Sequence, residues 1–252
     1  MSRFQVDFNN LDKEETSNLR RSGILSIFCG VIPLILMITI YGGVAFLLLV
    51  DETSPLFETI GFFYINLYPF VGVGVGILLF LVVFLGLRTI VRQTKTRKLL
   101  LNLTLIFVGL SVPISLISYF LLGCPSSISL LFYWAPFGML VDWNELFLNP
   151  STLTWAILTN IIILGAIITL GVLLIILDRK SGIHKKRGFH NFEVPAIMYL
   201  SQITIYIFQF LFLLELHPSN QQSLVFYMLF IGVLSSIGFI ILGLTLRKPT
   251  PS

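Results

Sequence analysis

The sequence predicts an all-α polytopic integral membrane protein, a six-helix transmembrane bundle with N- and C-termini cytoplasmic. Three observations predict it: a composition unsuited to water, six long apolar runs, and basic residues confined to alternate connections. Of the 252 residues, 56% are hydrophobic and only 11% are charged. Soluble domains carry about 25% charged residues. So little charge cannot cover a water-facing surface of this size, and lipid must serve as solvent. The net charge of +4 does not point to nucleic acid, because the basic residues sit at helix ends, where membrane orientation accounts for them.

The chain divides into a polar tail at 1–22, a transmembrane domain at 23–246 and a short tail at 247–252. About 20 apolar residues carry a helix across a hydrocarbon core. Six runs suffice, at 23–50, 60–87, 99–122, 155–177, 194–216 and 224–246. Five contain no charged residue, and the run at 194–216 contains only Glu215, near its end. Lipid offers the backbone no hydrogen-bond partners, so a span must pair its own. The runs are too long and too uniformly apolar for barrel strands, which alternate with period two, and are therefore helices.

The first run holds Pro33, which should kink it. It is also too long for the apolar core of a signal peptide, so no cleavable leader is expected. In the second, Pro69 leaves two readings: a kink there, or a span at 69–91 with 55–68 along the outer surface. Gly72 and Gly76 form a close-packing pair. The string VGVGVG at 71–76 shares glycines with a potassium filter, but opens directly into an apolar helix instead of a re-entrant loop. Pro113 should kink the third run. The outer loop at 123–154 is apolar, with LLFYWAPF at 130–137. Asp142 and Glu145 have capping-box spacing, so a short helix is expected from Asp142 to just before Pro150. Such a loop lies in the interface, dips into the bundle or docks on a partner. Pro150 and Ser151 lead into the fourth run, Pro195 suits the first turn of the fifth, and Gly232 and Ser236 give the sixth a small-residue contact.

Orientation follows from the basic residues. Arg3, Lys13, Arg20 and Arg21 lie in the first tail, and Arg247 and Lys248 in the last. Arg88, Arg92, Lys95, Arg97 and Lys98 follow the second run, and Arg179, Lys180, Lys185, Lys186 and Arg187 follow the fourth. These are all 16 Lys and Arg of the chain. The positive-inside rule places both termini in the cytoplasm, and the basic clusters are candidates for anionic lipid headgroups. Asp51, Glu52, Glu58, Asp142, Glu145 and Glu215 fall outside, with Trp134, Trp143 and Trp155 as an interfacial belt. Cys29 and Cys124 lie at opposite depths and should not pair.

Two polar stripes stand out. Thr104, Ser111, Ser115 and Ser118 share one face of the third helix. Tyr199, Gln202, Tyr206 and Gln209 share one face of the fifth. With Asn160 of the fourth, they would enclose a small uncharged cavity if the third and fifth helices face one another. The plain alternative is interhelical hydrogen bonding. His184, His190 and Glu193 resemble a ligand set, but a basic loop at the headgroups accounts for the segment, and no metal or cofactor is expected. No Asp, Glu, Lys, Arg or His lies deep in a span, which argues against proton pumps and voltage sensors. The expectation is a transport-related or membrane-complex subunit of the plasma membrane, without catalytic chemistry of its own, with partner subunits or further copies of itself. The alternatives are a membrane-embedded enzyme acting on lipid and a structural scaffold.

Overall fold

A computed structural model of the chain describes residues 12–47, 73–96, 98–122, 150–181, 192–204 and 221–247. Among these the regular structure is helical throughout. Helix α1 spans Lys13–Leu47 and α2 spans Val73–Gln93. Helix α3 is Lys98–Leu122, α4 Pro150–Ser181, α5 Glu193–Leu200 and α6 Gln221–Arg247. Four stretches are long and apolar enough to cross a membrane: Lys13–Ile35, Val73–Gln93, Ile161–Lys180 and Phe230–Arg247. Large apolar side chains also face outwards on every element, among them Phe28, Ile77, Ile106, Ile161, Ile197 and Phe230. Apolar exposure so widely distributed is a liability in water and the natural outer surface of a bundle in lipid.

The helices outrun the apolar runs. α1 begins at Lys13, inside the stretch read as a tail, and its 35 residues extend about 52 Å at 1.5 Å per residue. α2 continues past Leu87 to Gln93, so Arg88 and Arg92 stand on its last turns and not in a loop. Arg179 and Lys180 likewise occupy the last turn of α4, and Lys98 is the first residue of α3. The physical reason is that hydropathy marks what lipid covers, while the hydrogen-bond ladder continues until a cap ends it. For α2 the cap is a Schellman turn. Lys95 takes a left-handed φ of 49°, Thr96 N donates to Val91 O at 3.1 Å and Lys95 N to Arg92 O at 3.3 Å. Pro33 and Pro113 lie within α1 and α3 as expected, and the residues from Val73 to Gly76 are ordinary helix. Residues 60–72 and 205–220, the outer helix expected from Asp142, Cys124, His184 and His190 lie outside the described residues.

Packing follows chain order. α1 packs on α2, α2 on α3, α3 on α4, α4 on α5 and α5 on α6, and α1 closes the circuit against α6. α4 supplies an inner stripe of Ile163, Ile167, Leu170, Leu174 and Leu177 to a shared core with Leu79, Val83, Val108 and Phe239. The α1–α6 contact is backbone-close. A Cβ on Gly23 would stand 2.7 Å from Gly243 O and 2.6 Å from Arg247 Cγ. One on Gly30 would collide with Ser236 O, so Ser236 serves the small-residue contact read from the sequence. These pairings run α1 and α6 antiparallel and bring Lys13–Gly23 to the same end as Arg247.

Candidate functional site

Two features of the bundle carry chemistry: a ladder of polar side chains inside it, and a crown of cations at the end where α1 starts and α2, α4 and α6 finish. The ladder begins on α1, where Ser22, Ser26 and Cys29 fall on one face at spacings of four and three. Each donates to a carbonyl of another helix. Ser22 Oγ reaches Val82 O at 3.0 Å, Ser26 Oγ reaches Phe239 O at 2.8 Å, and Cys29 Sγ reaches Val75 O at 3.9 Å. Ser235 Oγ of α6 adds a bond to Met198 O of α5 at 3.3 Å. All four donors are buried.

Ser22 also meets the one irregular stretch of α2. Residues Val82–Leu87 form a π-helical segment. The wide turn frees carbonyls from the ordinary ladder, and in lipid these need new donors. Ser22 supplies one to Val82 O, and Thr89 Oγ1 supplies one to Leu85 O at 2.8 Å. Gly86 gives Ser22 its room, since a Cβ there would collide with the hydroxyl. The segment is therefore placed by its contact with α1.

The predicted polar stripes are reached in part. On α3, Thr104 and Ser111 are buried. Thr104 Oγ1 bonds Leu100 O at 2.8 Å and Ser111 Oγ bonds Val108 O at 2.6 Å, both within their own helix. On α5, Tyr199 and Gln202 are buried, so this part of the stripe turns inward. The Tyr199 ring meets Phe239 edge-on with centroids 5.0 Å apart, and its hydroxyl finds no hydrogen-bond partner among the described residues. α3 and α5 both pack on α4. The side chains of Ser115, Ser118, Asn160, Tyr206 and Gln209 lie outside the described residues.

At the cationic end, Arg20, Arg21, Arg92, Lys95, Lys98, Arg179, Lys180 and Arg247 are exposed and Arg88 is half-buried. Arg97, Lys185, Lys186 and Arg187 lie outside the described residues. Two bonds tie this end together. Gln93 Nε2 of α2 donates to Glu15 Oε2 of α1 at 2.9 Å. Asp178, buried at the end of α4, accepts the backbone N–H of Phe192 at 2.8 Å. Phe192 is the N-cap residue of α5, so a carboxylate from α4 satisfies a free N–H there and complements the positive end of that helix.

No protein family, curated protein or solved structure matches the chain. Its function has to be read from these residues. Sequence reasoning missed Ser22, Ser26 and Asp178. The first two had a visible signal in their spacing with Cys29, hidden by placing Ser22 in the polar tail. Asp178 was masked by the arginine and lysine beside it.

Proposed function

We propose that the chain is a transport-related subunit of a plasma-membrane complex, spanning the bilayer six times with both termini in the cytoplasm and performing no catalysis itself. The observation that supports this most is the division of polar groups. The buried hydroxyls of Ser22, Ser26 and Ser235 are spent on holding helices together, while exposed cations from α1, α2, α3, α4 and α6 collect at one end. A surface of that kind suits docking by an acidic face of a partner, because charge complementarity steers and orients association. The end of α4, with Arg179 and Lys180 beside the Asp178-held start of α5, is the firmest part of it.

The test places a photo-crosslinking amino acid at position 180 in cells and identifies what it captures. One partner species recovered in stoichiometric yield supports the reading, as does a second copy of this chain in its homo-oligomeric form. The adduct should fall by roughly fivefold when the adjoining Arg179 is neutralised, given about 1 kcal/mol for an oriented exposed charge. A chain that crosslinks only lipid, at every cytoplasmic position tried, would sink it.

A further inference from the structure

The face of α2 carrying Phe80, Phe84, Arg88 and Arg92 joins two chemistries on one stripe, since residues four apart share a helix face. The Phe80 and Phe84 rings stack with centroids 6.1 Å apart and planes 10° from parallel. The Arg88 guanidinium lies over the Phe84 ring, 4.9 Å from its centroid. An arginine held on an aromatic face keeps its donors free at the edge of its plane. Phe84 is 39% exposed and Arg92 is exposed.

The neighbouring face of α3 matches it. A Cβ on Gly109 would touch the Phe80 ring at 3.4 Å, which turns this face of α3 towards α2. Lys98, Asn102 and Ile106 precede Gly109 by eleven, seven and three residues, close to whole turns of an α-helix. All three are exposed. Among the described residues Arg88, Arg92 and Lys98 are ion-paired to no carboxylate. The nearby Glu15 is hydrogen-bonded to Gln93. The seam between α2 and α3 therefore runs from apolar, at Phe80, Phe84 and Ile106, to cationic at its end.

We propose that this seam binds one anionic phospholipid, with its phosphate among Arg88, Arg92 and Lys98, its glycerol esters at Asn102 and an acyl chain along Phe84 and Ile106. The proposal rests on the membrane-spanning reading. Arginine suits the phosphate because its fork of donors matches two oxygens at once. The order of groups along the seam is the order met in a lipid from acyl chain to headgroup.

The experiment uses the full chain in nanodiscs of phosphatidylcholine, with phosphatidylglycerol titrated in and retained lipid counted by native mass spectrometry. Wild type is expected to retain one phosphatidylglycerol above the zwitterionic background. R88Q/R92Q should weaken retention roughly thirtyfold, from about one unit of headgroup attraction per cation. R179Q/K180Q should weaken it far less. Equal losses in the two variants would mean a diffuse charge effect and overturn the site. So would phosphatidylcholine retained as tightly, or displacement by excess inorganic phosphate. Unchanged helix content and unfolding midpoint of R88Q/R92Q in pure phosphatidylcholine separate lost binding from lost folding. A chain that did not span membranes would be stripped from them by alkaline carbonate, whatever stands at position 88.

Discussion

Tyr199 holds the least favourable atom of the described interior. Its ring is well placed against Phe239, but its hydroxyl is buried with no partner among the described residues. Leaving such a group unpaired costs about 1–3 kcal/mol. Tyr199→Phe keeps the ring and removes the oxygen, so it should raise stability by an amount in that range. Denaturant unfolding in detergent measures it, and a lower midpoint would show that the hydroxyl is engaged in the native protein. The same residue shows where sequence reading stops. Spacing puts Tyr199 and Gln202 on one face of α5, and the structure buries both. Spacing says nothing about which hydroxyl goes unpaired, because that depends on how α6 lies across it.

At the scale of the helix, apolar runs locate spans but not their ends. Arg88 and Arg92 continue α2 because nothing in arginine opposes helix, and the true stop is a left-handed Lys95 that carries no glycine to announce it. Small residues are similarly mute. Gly30 and Gly243 look like any glycines in a hydrophobic run, yet they set the approach of α1 to α6. Gly30→Leu should therefore destabilise the fold by about 2 kcal/mol, the usual range for overpacking. Phe28→Leu, on the exposed side of the same helix, should change little. Parallel unfolding curves of the two variants check this, and equal effects would mean that α1 and α6 are not in close contact. The π segment escaped notice because Ser22, the donor to its Val82 carbonyl, lies sixty positions away.

For the whole molecule, the gathering of the described cations at helix ends was legible, since hydration energy forces Lys and Arg out of lipid wherever the helices pack. The neighbour relations were not, as apolar residues face both the core and the lipid and leave no periodic contrast to read. Orientation is checked by cysteine labelling of intact cells. Cysteines at positions 54, 140 and 220 are expected to react with an impermeant reagent, while Lys95→Cys and a cysteine at 183 should react only after permeabilisation. Reaction of either of the latter two from outside would reverse the topology.

The closure of α1 on α6 has a consequence for how the protein is made. The hydroxyls of Ser22 and Ser26 leave the ribosome early, whereas Phe239, the acceptor for Ser26, is among the last residues translated. At about 5–20 residues per second, the first helix waits on the order of ten to forty seconds for its main neighbour. Through that interval its glycine face lies open to lipid, to an insertase or to the same face of another nascent chain. Premature termination before α6 would make that delay permanent, leaving a fragment able to enter the membrane but primed to pair through α1 with the wrong helix.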